Sequence, residues 1–135
     1  MFSTSTRANN SSNISGGVLV NWGKINLEKS VFRHNSSRNN AGAIINGGKF
    51  NINDSEFDNN LAGYSGGAIL NDGDMNIDNS SFNDNEAKMP GNSIYAIRGN
   101  LVLSNIEFSN NEENEIYSEQ TADIVIKNCS FRNWK

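Results

Sequence analysis

Carboxylates, one histidine and one cysteine are the side chains of this 135-residue chain with the most scope for chemistry. Asp54, Asp78 and Asn105 recur at about one sequence period, as do Asp58 and Asp84. Two acids one repeat apart in a stacked structure would approach the ~5 Å separation of a retaining glycosidase pair. The competing reading is that they line a solvated face, and the chain has few long loops from which to build a cleft. His34 is the single histidine. It has no second histidine for a metal pair and no Ser or Cys at a matching position to activate. Cys129 is the single cysteine, which excludes an intrachain disulfide and reads as a buried filler. Asp72-Gly73-Asp74 could contribute to a calcium site, but lacks the spacing of an EF-hand loop. No catalytic residue, cofactor site or metal ligand is assigned on these grounds.

The elements that carry these residues repeat. Phe32, Phe57, Phe82 and Phe108 are each followed three positions later by Asn35, Asn60, Asn85 and Asn111. The intervals between the phenylalanines are 25, 25 and 26, with Phe131 a further 23 on. A period in this range marks a stacked-repeat architecture. Between the phenylalanines lie Gly16-Gly17-Val18-Leu19, Ala41-Gly42-Ala43-Ile44, Gly66-Gly67-Ala68-Ile69 and the degenerate Gly91-Asn92-Ser93-Ile94. Asn-x-Gly turns follow at Asn21, Asn46 and Asn71.

Alternation of apolar and polar residues over 25–28, 50–53, 75–78, 101–104 and 124–127 predicts strands with one buried face. A coil of this size cannot bury its apolar side alone, but stacked copies can. Three columns are expected to face inward: Ile25/Phe50/Met75/Leu101/Ile124, Leu27/Ile52/Ile77/Leu103/Ile126 and Phe32/Phe57/Phe82/Phe108/Phe131. Ser30, Ser55, Ser80, Ile106 and Cys129 fill a fourth inward position. Asn35, Asn60, Asn85 and Asn111 are expected to form a side-chain amide ladder. The fold class is therefore all-β: one parallel β-helix, or β-solenoid, of about five coils with ~25 residues each. Residues 1–15 are read as an N-terminal cap or partial coil. Residues 16–135 form the repeats, and the last, 115–135, is degenerate.

Hydrophobic residues make up 36% of the chain, which suits a narrow core. Its 26 asparagines fall largely at fixed repeat positions, which argues against disorder. Residues 1–50 hold six Lys/Arg and one acid, whereas residues 51–135 hold five Lys/Arg and fourteen acids. Because sequence position is axial position in a solenoid, one end of the rod is basic and the other acidic. Head-to-tail stacking into filaments is one expected consequence. The basic end is too modest, and too poor in interleaved aromatics, for nucleic acid. Trp22, Tyr64 and Tyr95 are the candidate contact surface, with Tyr117 beside them. No apolar run approaches the ~20 residues of a membrane span. The first residues lack the apolar core of a secretion signal.

The phased pairing of Gly-Gly-Ala-Ile with Phe-x-x-Asn resembles the repeats of chlamydial polymorphic outer-membrane proteins. It is also similar to the repeats of adhesin-like surface proteins in other bacteria and in methanogenic archaea. Residues 66–69 with 82–85 match both halves, and the likeness spans roughly 16–111. The resemblance implies that the parallel β-helix is right-handed, an autotransporter-type passenger displayed at the cell surface and used in adhesion. The expected function is thus a non-enzymatic structural or adhesive rod, part of a longer exported protein. Its partners would be itself, or a host or cell-surface protein or glycan. The alternatives are a carbohydrate-active β-helix, acting as a polysaccharide hydrolase or lyase, or a glycan-binding module.

Overall fold

The computed structural model describes residues 2–109 and 114–132. It is all-β in these residues, and every strand pairing is parallel with its equivalent one repeat away. The chain is a β-solenoid of about five turns. A ten-stranded sheet, a five-stranded sheet and a four-stranded sheet run along its axis.

The long sheet holds both the alternating strands and the phenylalanine strands. In the first full coil they form one strand, Lys24–Arg33. In later coils the same stretch divides, as in Lys49–Asn53 with Glu56–Asp58 and Asp74–Asp78 with Ser81–Asn83. The division falls on a residue in the left-handed region. Lys29, Asp54, Asn79, Asn105 and Asn128 hold this corner at φ between 47 and 54°. Asn and Asp tolerate that conformation better than other side chains with a Cβ. Ser30, Ser55 and Ser80 then turn inward, and Ser55 Oγ accepts from Ser30 N at 3.2 Å. The hydroxyl therefore repairs the strand ladder where the corner breaks it.

The inward columns follow the expected registers. Ile25 pairs with Phe50, Phe50 with Met75, Met75 with Leu101 and Leu101 with Ile124. The phenylalanine rings stack at centroid spacings of 5.0, 4.7, 5.1 and 4.8 Å from Phe32 to Phe131. Phe32, Phe57, Phe82 and Phe108 are buried, whereas Phe131 is 51% exposed because no described coil covers its outer face. Ile126 is left half-exposed for the same reason. Cys129 is half-buried, with its Sγ 3.4 Å from Lys127 O.

From the sequence, two short strands and the Phe-containing segment would make three sides of each coil, and the structure differs in two features. The phenylalanine strands share a sheet with the alternating strands rather than making a separate side. A further side comes from two-residue strands, Ser11–Ser12, Ser36–Ser37, Leu61–Ala62 and Glu86–Ala87. Two residues are too few to show a period, so this sheet leaves no alternation in the sequence. Ahead of the repeats, Phe2–Ala8 pairs with Lys24–Arg33, and Arg7 aligns with Phe32.

Before each strand of the five-stranded sheet, one position takes positive φ: Gly16, Ala41, Gly66, Gly91 and Asn114. Ala41, at φ 60°, is the only one of these with a methyl group in a conformation that costs L-residues roughly 1–2 kcal/mol. Ala41→Gly removes that strain, offset by about 0.5–1 kcal/mol of added unfolded-state entropy. The methyl is also fully buried and its loss costs about 0.8 kcal/mol, so the urea midpoint of Ala41→Gly is expected to stay close to wild type.

Candidate contact surface

Inward-turning amides set the corners around which the outer surfaces are hung. Asn35 Nδ2 donates to Asn60 Oδ1 at 3.0 Å, and Asn60 Nδ2 donates to Asn85 Oδ1 at 3.0 Å. Asn10 joins the same column from before the repeats, donating to Asn35 Oδ1 at 3.0 Å. Asn111, the fourth member expected from the sequence, lies outside the described residues. A second buried column was not foreseen. Asn21 donates to Asn46 at 2.9 Å and Asn46 to Asn71 at 2.8 Å. Each closes its own turn as well, since Gly23 N and Gly48 N donate to Asn21 Oδ1 and Asn46 Oδ1. The Asn-x-Gly pattern signalled the turn. That the same asparagine reaches its counterpart in the next coil was the part left unread. Ala96 aligns with Asn71 and ends this column.

The expected aromatic residues sit on neighbouring rows of one side of the rod, around the five-stranded sheet. This sheet comprises Leu19–Asn21, Ile44–Asn46, Ile69–Asn71, Ile94–Ala96 and Ile116–Ser118. With only three residues per strand, the ends face the core and the middle residue faces out. Those middle residues are Val20, Ile45, Leu70, Tyr95 and Tyr117, aligned in register. The row is apolar or aromatic in every coil; Val20 and Tyr117 at its ends are exposed, Ile45 and Tyr95 are half-buried, and Leu70 at its centre is buried. By contrast, the long sheet presents Asn26, Asn51 and Asn76 outward, joined by amide bonds of 2.9 and 3.0 Å.

Tyr64 stands on the loop row beside this sheet, following Ile14 and Asn39 and preceding Met89. The backbone bonds Asn39 N to Ile14 O, Tyr64 N to Asn39 O and Met89 N to Tyr64 O fix that order. Ile14, Tyr64 and Met89 are all exposed. Trp22 lies on the turn at the other edge, 73% exposed, with its ring laid over Gly47 of the next coil. A side chain at Gly47 would displace the indole, so the glycine gives the ring its seat. Tyr95 is half-buried and packs at 5.8 Å, tilted, against Tyr117.

Tyr95 Oη donates to Glu119 Oε1 at 2.8 Å. Burial, and then the Glu119 carboxylate, push the Tyr95 phenol up to about 12 from its ordinary 10. Protonated Tyr95 thus adds stability that is present in full below pH 10. That stability is lost as pH climbs from 10 through about 12. Alkaline absorbance titration, with Tyr95→Phe as the difference reference, should place this phenol near 12. Glu119→Gln should bring it part of the way back toward 10, because burial remains.

The acidic positions do not form the expected columns. Asp54 aligns with Asn79, whose Nδ2 donates to it, whereas Asp78 aligns with Asn53 and Ser104. Asp58 aligns with Asn83 and accepts its amide at 2.9 Å. Asp84 instead shares its corner with His34 and Asn59, all at φ 52–53°. The supposed pairs are thus one residue out of step, and amides separate the carboxylates. His34 is exposed at a corner that Asn and Asp fill in later coils.

Asp72 and Asp74 are also committed within the protein. Arg98 grips Asp72 through Nε and Nη2 at 2.7 and 2.9 Å, and this hydrogen bonding holds the carboxyl below its usual range. Asp74 Oδ1 accepts from Asn100 N and Nδ2 at 3.1 and 3.2 Å. No group of three or more potential metal-ligating side chains occurs among the described residues. Comparison of the chain with protein-family models, with curated proteins and with solved structures gives no match.

Proposed function

We propose that this chain is a non-enzymatic, rigid adhesive element, displayed at a cell surface as part of a longer exported protein. The carrying observation is the set of exposed apolar and aromatic residues around the five-stranded sheet: Val20, Trp22, Tyr64, Met89 and Tyr117, with Ile45 and Tyr95 half-buried between them. A strip of exposed apolar and aromatic residues along one side of a rod, interrupted only where Leu70 is buried, is a mark of a surface that meets a partner. Aromatic residues gain contact area there at small entropic cost. The stacked interior supports the same reading, since a stiff rod holds such a strip straight along the axis. The axial charge separation favours end-to-end contact between copies at low salt.

Adhesion is tested with beads coated with the chain and presented to cell monolayers and immobilised matrix proteins. Beads carrying the Trp22→Ala/Tyr64→Ala/Tyr117→Lys variant should lose most retention while keeping the wild-type circular dichroism spectrum. Equal retention of both bead types would refute the assignment of adhesion to this side. Negative-stain images at low and high salt test the stacking. Filaments that dissolve at high salt are expected, and short rods under both conditions would exclude it.

A further inference from the structure

The four-stranded sheet, next to the loop row that carries Tyr64 and Met89, holds an open notch of about 480 Å³. Ser11, Ser36 and Leu61 lie along its floor, and Arg38 and Lys88 stand at its rim. The two cations belong to one row. Ser37 aligns with Ala62 and Ala62 with Ala87, so Arg38, Gly63 and Lys88 follow one another coil by coil. Gly63 cannot be replaced by a residue with a side chain, because a Cβ there would run into the Arg38 carbonyl. The row is therefore obliged to have a gap between its two cations. Two interstrand steps set their backbones about 10 Å apart. Both side chains are exposed, and neither is in an ion pair among the described residues.

We infer that this notch binds an acidic polysaccharide, with its anionic groups on Arg38 and Lys88 and a sugar ring over Gly63 and Leu61. A ligand that carries repeated negative groups along its length can engage both cations of the row at once. Arg supplies a planar fork for a carboxylate or sulfate, and Lys a compact charge. Leu61, 43% exposed, offers an apolar patch between them, and the Ser11 and Ser36 side chains bring hydroxyls to the same floor. A peptide strand finds no purchase at this place. The neighbouring backbone groups are spent on axial bonds such as Arg38 N to Ser12 O and Gly63 N to Ser37 O. Glu86 sits beyond Leu61 in the same outward row and opposes the anion. The inference does not rest on the adhesive reading, although Tyr64 and Met89 of that surface directly follow Gly63 and Lys88 in the chain.

The test is binding of the whole chain to chondroitin sulfate, polygalacturonate, neutral dextran and a single-stranded oligonucleotide, by biolayer interferometry at several salt concentrations. Both acidic glycans should bind, more weakly as salt rises, and dextran should not. Arg38→Ala/Lys88→Ala should weaken binding at least about tenfold, which corresponds to ~1.4 kcal/mol. Lys24→Ala/Lys49→Ala removes the same charge from the long sheet and should change binding by less than about twofold. Glu86→Gln should tighten it. Equal losses from both double variants would overturn the site in favour of diffuse attraction to the basic coils. Oligonucleotide binding as strong as that of the glycans would overturn the ligand class, and so would undiminished binding to dextran.

Discussion

Asn60→Asp, a change of one group in a side chain of unaltered shape, is expected to cost about 4 kcal/mol at pH 7. Asn60 is 1% exposed and works as both acceptor and donor. Its Oδ1 accepts from Asn35 N at 3.1 Å and Asn35 Nδ2 at 3.0 Å, and its Nδ2 donates to Phe32 O and Asn85 Oδ1, both at 3.0 Å. A carboxylate keeps the first two bonds. It turns the other two into contacts between acceptors and adds a charge to a buried site. The introduced carboxyl should therefore have a folded pKa above its unfolded ~3.9. Its penalty is smallest below that value and grows as pH rises through the folded pKa. Urea melts at pH 4 and pH 7, each referred to wild type, should show a much smaller deficit at the lower pH. A deficit that does not depend on pH would mean that shape, not the donor, is what matters. Asn60→Ala lacks the titrating group and should cost about 3 kcal/mol at both pH values.

Phe57→Ala is the second large effect, expected at about 3–5 kcal/mol. The ring lies between Phe32 and Phe82 at 5.0 and 4.7 Å, with interplanar angles of 6° on both sides. Its removal strips contact from two further rings, and stacked coils have little freedom to close the gap. Phe131→Ala is the internal control. That ring has one stacking neighbour among the described residues and is half-exposed, so about 1 kcal/mol is expected. Thermal or urea denaturation of the two variants measures the contrast. Equal losses would show that the column is not held by its interior members.

The inward columns were legible because each needs one large apolar residue at a fixed interval, and a 25-residue period states that directly. Registers of polar residues were legible only where the period was strictly kept. Asp54 and Asp78 are 24 apart and Asp58 and Asp84 are 26 apart. A shift of one residue in an extended chain reverses the face, so near-periodic acids fall in different columns. The Asn21, Asn46 and Asn71 ladder was hidden by a local explanation, because an asparagine before glycine already accounts for a turn. The apolar row through Leu70 was hidden by the brevity of its strands. Three residues do not separate a buried run from an alternating one.

The buried amides share a direction. Asn10 donates to Asn35, Asn35 to Asn60 and Asn60 to Asn85, while Asn21 donates to Asn46 and Asn46 to Asn71. Every one of these N–H groups points toward the later coils, so their dipoles add along the axis as peptide dipoles do in a helix. Aligned bonds of this kind also polarise and strengthen one another. The positive pole faces residues 51–135, where fourteen of the fifteen acids lie, and the negative pole faces the basic first coils. The interior thus carries an electric polarity that the surface charge opposes and partly cancels. Reversing the sign of the surface gradient would leave the buried amide ladders in place and still weaken the rod, because pole and charge would then repel at both ends.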